Sequence, residues 1–186
     1  MAENVEFREQ DLFQTDLSPA SVVTLYLLPD VNLQLRPSLL ALRAGTRIVS
    51  HDWDMGDWRP DQSVTVAAPD KAIGREKSSQ VHLWVVPAQV AGNWCGIGPA
   101  KGIDLHLRQE FQQVRAEITG TRKDSAFEGR LDGISLLAKA AGHWTGSASL
   151  QVDGFRVGVL RAEGSLAALA YATFKPRASG GCQEAP

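Results

Sequence analysis

Hydrophobic and polar residues follow different patterns in the two halves of this chain. In the first half, residues 21–28 form a nearly continuous apolar run, which is typical of a buried parallel strand. Residues 32–42 then place leucines at mixed helical spacings before Gly45 ends the segment. Residues 46–50 again have the pattern of a strand. The order strand, helix, strand therefore predicts a βαβ unit.

Further strands are predicted on either side of this unit. Residues 5–8 alternate between apolar and polar side chains, and residues 62–68 and 80–86 are strand-like runs separated by a polar loop. Pro37 lies inside the leucine-rich segment, where an interior proline costs about 3 kcal/mol unless it lies in the first turn or at a kink. We therefore expect the regular helix to begin near Arg36, and the first half to be an α/β segment.

After Pro87 the sequence alternates in the manner of antiparallel strands. Residues 103–108 alternate strictly, and turn signals such as Asp132-Gly133 separate the weaker runs. Residues 134–141 have a helix-friendly composition but are too short to require a helix. The weaker runs are residues 112–119, 126–131, 147–152, 155–160 and 166–174. An all-β antiparallel meander or barrel-like domain is the simplest interpretation.

Composition supports a division of the chain at about residue 91. Of the 17 glycines, only three precede residue 90, and the acidic excess lies in the first half. We expect an α/β segment over residues 1–91, a β-rich domain over 92–177 and a flexible tail over 178–186.

The charge and the two cysteines indicate the setting of the protein. A formal net charge of -2 gives no broad positive field, so nucleic acid is not an expected partner. No apolar run approaches the roughly 20 residues of a membrane helix, and the first residues lack the order of a signal peptide. Cys95 and Cys182 are too few and too far apart in sequence to predict a disulfide framework or a thiolate zinc site. A reducing, cytoplasmic setting is therefore expected.

Three segments of the first half resemble the second part of a class I S-adenosylmethionine-dependent methyltransferase. They are VEFREQDLF (residues 5–13), ASVVTLYLLP (20–29) and LRAGTRIVS (42–50). The resemblance covers about residues 4–88, and it is closest to bacterial methyltransferase-like proteins in which SHDWDMGDW (50–58) follows the fifth strand. It implies a truncated Rossmann-like α/β segment ahead of the β-rich domain, and S-adenosylmethionine as the cofactor.

The resemblance also implies roles for particular residues. Asp11 would end the third strand and accept a hydrogen bond from the adenine amino group, and Leu12 would line the adenine pocket. Residues 26–29 would lie at the carboxyl end of the fourth strand, facing the sulfonium and the acceptor, which makes Tyr26 the candidate catalytic residue. Ligands of open α/β sheets do bind beyond the carboxyl ends of strands. The structural alternatives are that Asp11 is a turn residue and that Tyr26 belongs to the core.

Two features of the family do not occur in residues 1–91. The Gly-rich loop after its first strand and the acidic residue after its second would precede Met1, so we expect this chain to hold only part of the cofactor site. In the family's sheet those two strands lie between the third and the fourth. The strand at residues 21–28 would then have an unpaired edge, and we expect self-association through it.

Other polar groups do not predict a catalytic or metal site. His51, Asp52, Asp54 and Asp57 form the densest polar cluster, but they lack the EF-hand pattern and a second histidine at a ligand-like spacing, so we assign no metal. The other histidines occur singly and are expected at surface or hydrogen-bonded positions: His82, His106 and His143.

Two functions follow from these patterns. The first is methyl transfer from S-adenosylmethionine to an unidentified protein or small-molecule acceptor. The second is a non-enzymatic binding or structural module in which the β-rich domain acts and the α/β segment is a remnant. For the second, Trp84, Trp94 and Trp144 would line a binding face, although large aromatic residues of a small β domain are more often core residues.

Overall fold

The computed structural model describes residues 5–72, 77–121, 125–142, 145–153, 156–177 and 182. They belong to two compact units, Met1–Trp84 and Val85–Pro186, and each unit is described by itself. The independent folding of the 1–91 and 92–177 segments stays a prediction. His143, Trp144 and residues 178–181 and 183–186 of the expected tail lie outside the described residues.

The first unit is a four-stranded sheet with one α-helix. Its elements are a 3₁₀ helix Leu12–Gln14, β1 (Val22–Leu25), α1 (Pro29–Leu40), β2 (Arg47–His51), β3 (Gln62–Ala67) and β4 (Ser78–Val85). The strand order is β1-β2-β4-β3, with β1 parallel to β2 and β3 antiparallel to β4. The predicted strand-helix-strand order is therefore present once, as β1-α1-β2.

The Rossmann-like part of the predicted fold is not evident in the described residues. Such a fold needs helices on both faces of a mostly parallel sheet, whereas this unit has one α-helix and an antiparallel pair. The expected strand at residues 5–8 is also wrong: this segment is exposed and irregular, and Phe7 is 94% exposed. Alternation alone did not make a strand because nothing in the unit covers its apolar side.

Helix α1 begins earlier than the sequence predicts. Pro29 lies in its first turn, where the missing N–H is not needed, so the expected start near Arg36 is wrong. Pro37 lies in the second half of the helix and deprives the carbonyl of Leu33 of its partner. Leu33 is an exposed residue, so water can take the place of that partner. The buried face consists of Asn32, Leu35 and Leu39.

The core of the first unit lies on one side of the sheet. Val23 and Leu25 of β1 and Ile48 of β2 are buried, whereas Val22 on the alternate side of β1 is 42% exposed. Every residue of β3 is exposed. The sheet therefore has one covered face and two edge strands, β1 and β3.

The second unit is a closed antiparallel β-barrel, which confirms the predicted barrel-like domain. Its strands are β5 (Gly92–Ile97), β6 (Asp104–Glu110), β7 (Gln113–Thr119), β8 (Ser125–Asp132), β9 (Ser135–Ala140), β10 (Ser147–Val152), β11 (Val157–Ala162) and β12 (Thr173–Pro176). Each strand pairs with the next in sequence, and β12 pairs with β5 to close the barrel. Strand β9 lies within residues 134–141, the segment whose composition was also compatible with a short helix.

Alternate side chains of these strands fill the barrel. The interior includes a set of apolar residues that are less than 2% exposed: Leu105, Ile118, Phe127, Leu131 and Phe174. Eight strands enclose an interior just wide enough for side chains to fill. The interior is therefore a packed core.

Two parts of the barrel differ from the predicted strands. Half of the predicted run at residues 166–174 is a 3₁₀ helix, Gly164–Leu169, and only Thr173–Pro176 is a strand. Strand β5 was not predicted, because its two glycines interrupt the alternation of apolar and polar side chains that identifies a strand in sequence. Gly96 is required there, since a Cβ atom would lie 2.0 Å from the carbonyl oxygen of Ala100 in the following 3₁₀ turn.

Cys95 and Cys182 form a disulfide, which corrects the expectation drawn from their distance in sequence. They are 87 residues apart, yet their Cα atoms are 5.3 Å apart. Cys95 lies on β5, and Cys182 lies six residues beyond the end of β12. Closure of the barrel brings the two ends of the unit together, and a spacing in sequence carries no information about that closure.

None of the helices in the described part of the chain combines the length and the apolar character that crossing a membrane requires.

The free edge of β1 generates a first prediction. Within the described residues β1 has a paired neighbour on one side only, and it contains no charged side chain. We expect concentration-dependent self-association through this edge, measured by light scattering, and Val22→Lys should reduce it. Val22 is the position to change because Val23 is buried and its substitution would damage the core.

Leu137→Lys is the matched control, because it adds the same charge at an exposed apolar residue of the barrel. A monomer at all concentrations, or an equal effect of both substitutions, would contradict association through β1.

Candidate active site

Tyr26 lies immediately beyond the carboxyl end of β1 and is open to solvent. Its side chain is 82% exposed, so the alternative that Tyr26 is a core residue does not hold. Its ring lies against the imidazole of His51, the last residue of the neighbouring parallel strand β2, with ring centroids 4.7 Å apart. Two parallel strands thus place a phenol and an imidazole side by side at one edge of the sheet.

His51 has a carboxylate next to it. Its Nδ1 atom lies 3.6 Å from Oδ2 of Asp52. Asp52 has a positive φ of 62°, a conformation that few residues other than glycine adopt and that asparagine and aspartate tolerate best. Its carboxylate is held by Nζ of Lys71 at 2.6 Å and by the backbone N–H of Gln80 at 2.8 Å. The Lys71 ammonium is the main cause that lowers the pKa of Asp52 below its ordinary value of 3.8.

A buried asparagine fixes the loop that follows. Asn32 of α1 donates from Nδ2 to Ser50 Oγ at 3.1 Å and to the carbonyl oxygens of Trp53 and Asp54 at 3.3 and 3.4 Å. Its Oδ1 atom is buried without a hydrogen-bond partner. Asn32 therefore holds residues 50–54 against the start of the helix, and with them the position of His51.

The acidic residues of this loop are engaged in local structure. Asp54 accepts from the N–H of Gly56, and Asp57 forms an ion pair with Arg36, which lowers the pKa of Asp57. Arg36 also donates to the carbonyl oxygen of Met55 at 2.8 Å. The predicted polar cluster at residues 51–57 is thus a loop held by hydrogen bonds to α1.

The predicted adenine contacts lie in an exposed turn. Asp11 caps the 3₁₀ helix Leu12–Gln14 by accepting from the N–H of Phe13 at 2.9 Å and from Nε2 of Gln14 at 2.8 Å. This is the turn role that the sequence had left as the alternative. An ionised carboxylate offers about four lone-pair positions, so an adenine amino group can still be accommodated at Asp11. Leu12 is half-buried beside it.

The remaining histidines and tryptophans have structural surroundings. Nδ1 of His82 lies 2.8 Å from Ser63 Oγ, and Nδ1 of His106 lies 2.7 Å from Asn93 Oδ1. Trp84 and Trp94 are buried, and their indole nitrogens donate to carbonyl oxygens of Trp58 and Val90. Both tryptophans are core residues, as their size predicts.

Sequence reasoning missed Lys71 and Asn32. Lys71 lies in a polar loop with no pattern of its own, and only the structure shows its contact with Asp52. Asn32 gave a weak signal, because it is the one polar residue on the buried face of an otherwise leucine-lined helix. A buried amide needs partners, and that need identifies it as a residue that fixes a loop.

This arrangement offers a surface for binding. Exposed rings at the ends of adjacent parallel strands form a surface against which a flat or cationic group can pack. Trp53, 46% exposed, and Leu28, 68% exposed, add apolar area near the ends of the same strands.

Comparisons with known proteins agree with the resemblance in the first half. Residues 1–62 match the model of the ANTKMT methyltransferase domain. A protein-lysine N-methyltransferase of Saccharolobus islandicus (strain REY15A) is 42% identical over 57 residues, which are 30% of this chain and 35% of the relative. An RNA methyltransferase from Salinibacter ruber, solved in complex with S-adenosyl-L-homocysteine, is 46% identical, with a TM-score of 0.38 over 45% of this chain and 49% of that one. The chain spans about a third of the curated relative and half of the solved protein. Its first part is methyltransferase-like.

The contact between Asp52 and Lys71 generates a second prediction. Because the folded pKa of Asp52 lies below 3.8, its stabilising contribution is complete above that pH and is lost as the pH falls through the lower, folded value. Lys71→Met should move the Asp52 midpoint upward, toward 3.8, in a carbon-detected titration of the carboxyl groups. It should also reduce protection of the Gln80 amide.

Lys139→Met, on the exposed face of β9, is the matched control and should leave the midpoint unchanged. A wild-type midpoint at or above 3.8 would show that the ion pair does not form in solution.

Proposed function

We propose that this chain is part of an S-adenosylmethionine-dependent methyltransferase, and that its first unit carries the side of the site that faces the methyl acceptor. One observation carries the proposal. Residues 1–62, which match a methyltransferase domain model, contain the two parallel strands β1 and β2, and these strands lead into the exposed Tyr26 and the partly exposed His51.

Asp11 and Leu12 are the proposed cofactor contacts. Asp11 would accept a hydrogen bond from the adenine amino group, and Leu12 would pack against the adenine ring. When bound, S-adenosylmethionine supplies a methyl group on a sulfonium. The exposed position of Asp11 and its unused lone pairs are compatible with this role.

Tyr26 is the proposed acceptor contact. Methyl transfer by in-line displacement depends mainly on holding donor and acceptor in contact and alignment. The Tyr26 ring, held against His51, would provide one wall for the acceptor, and Asn32 would keep that wall in place through the loop at residues 50–54. The acceptor is proposed as a protein side chain or a small molecule, and the name of the protein-lysine N-methyltransferase relative fits the first of these.

The non-enzymatic module is the second candidate, and one observation favours it. The outer face of β9, β10 and β11 has a depression lined in part by Leu137, Lys139, Ser149 and Arg161. Because the barrel interior is filled, a ligand of the β-rich domain would bind at such an outer surface rather than inside. This candidate predicts binding that does not depend on Asp11 or Tyr26.

Titration with S-adenosyl-L-homocysteine tests the first candidate. With only part of the cofactor site in this chain, we expect millimolar affinity, about −4 kcal/mol. Shifts in amide NMR spectra should be confined to residues 11–13 and 26–28. Asp11→Ala should abolish them. Asp16→Ala is the matched control, because Asp16 caps its own turn in the same way by accepting from the N–H of Ser18.

Two results would contradict this account. The absence of any shift at millimolar S-adenosyl-L-homocysteine would contradict the proposed cofactor contact at Asp11 and Leu12. Saturable micromolar binding would show that this chain holds a complete site.

A further inference from the structure

The two cysteine sulfurs have a carboxylate beside them. On the outer face of the barrel, Cys95 of β5 is paired in register with Asp104 of β6. The sulfurs of Cys95 and Cys182 and a carboxylate oxygen of Asp104 all lie within 4.8 Å of one another. Among the described residues, this is the one group of three or more histidine, cysteine or acidic side chains whose ligand atoms come that close.

The burial of these three residues is typical of a binding site and unusual for side chains that meet by chance on a protein surface. Cys95 is 1% exposed although it alternates with the inward-facing Trp94 and Gly96, and its sulfur is bonded to Cys182. Asp104 and Cys182 are half-buried. The partial burial of Asp104 is notable because an aspartate on a barrel surface ordinarily faces solvent.

The chemistry depends on the oxidation state. In the oxidised protein both sulfurs are consumed by the S–S bond. A dithiol or phosphine reductant supplies two electrons, and with two protons the bond becomes two thiols. Loss of those protons on metal binding leaves two thiolates and a carboxylate facing one point. Two soft sulfur ligands with one oxygen ligand select zinc-type divalent cations over magnesium or calcium.

We propose that the reduced protein binds a zinc-type divalent cation through Cys95, Cys182 and Asp104, with water as the fourth ligand. The cation then links Cys182 to Cys95 of β5, as the disulfide does in the oxidised protein. The two linkages exclude each other because they use the same sulfur atoms. Under reducing conditions the metal is the linkage that can form.

Lys175 of β12 is the register partner of Cys95 on the side opposite Asp104, so the two residues project from the same face of the barrel. A neighbouring positive charge favours the thiolate form of cysteine but repels a bound metal ion. We therefore expect Lys175→Gln to tighten metal binding.

Cobalt titration of the full chain tests the proposal. Reduced wild-type protein should bind one Co²⁺ per chain with a sulfur-to-cobalt charge-transfer band, and Zn²⁺ should displace it. The oxidised protein should show no band. Cys95→Ser and Cys182→Ser should each abolish it, and Asp104→Asn should weaken binding at least about tenfold, since even outer-shell partners contribute that much. Glu110→Gln, on the same strand β6, is the control and should change nothing.

Asp104→Asn keeps both cysteines, so the test does not depend on the folding of the serine variants. Far-ultraviolet circular dichroism of the reduced protein with and without Zn²⁺ is the second readout, and the metal should raise its unfolding temperature. The proposal is overturned by reduced protein without a charge-transfer band, by one cobalt per two chains, or by equal affinity in the wild type and Asp104→Asn.

Discussion

Closure of the barrel between its first and last strands is the constraint on which the second unit depends. Two of the described strand pairs at this closure, which we call the seam, are short: β12 pairs with β5 over four residues, and β11 pairs with β12 over two. The packed interior requires this seam, because Phe174 of β12 is fully buried opposite Gly96 of β5. The disulfide from Cys95 on β5 to Cys182 beyond β12 joins the same two ends of the barrel. A weakly paired seam is thus held by one covalent bond.

Local patterns predicted most strands but not what closes them. Strict alternation at residues 103–108 corresponds to β6, and residues 147–152 match β10, because each strand buries one face in the same core. Strand β5 escaped prediction, since glycine is needed where the turn around Ala100 comes close. The disulfide escaped because it follows from the path of the whole chain.

In the first unit, the hydrophobic pattern predicted the two parallel strands, whereas the resemblance to the family predicted more of the sheet than is present. Apolar runs predicted β1 and β2, but the arrangement expected from the family does not extend to residues 5–8, where an exposed Phe7 has no partner surface. The cost of Pro37 inside a helix placed the expected start near Arg36, but α1 begins at Pro29 and accommodates Pro37 in its second half. For the candidate site, Tyr26 came from the resemblance to the methyltransferase family, whereas Lys71 and Asn32 required the folded loop.

Unfolding of the barrel with and without its disulfide tests the central claim most directly. Urea unfolding would be followed by hydrogen exchange of barrel amides in the oxidised protein and in protein reduced in the presence of a chelator. A cross-link that closes a loop of 87 residues stabilises a fold by about 4–5 kcal/mol in the chain-entropy model. We predict a loss of that order on reduction, with the amides of β12 and β5 losing protection first. Equal stability of the two forms, or a loss of protection that spares β5 and β12, would contradict the claim that the disulfide stabilises the closure of the barrel.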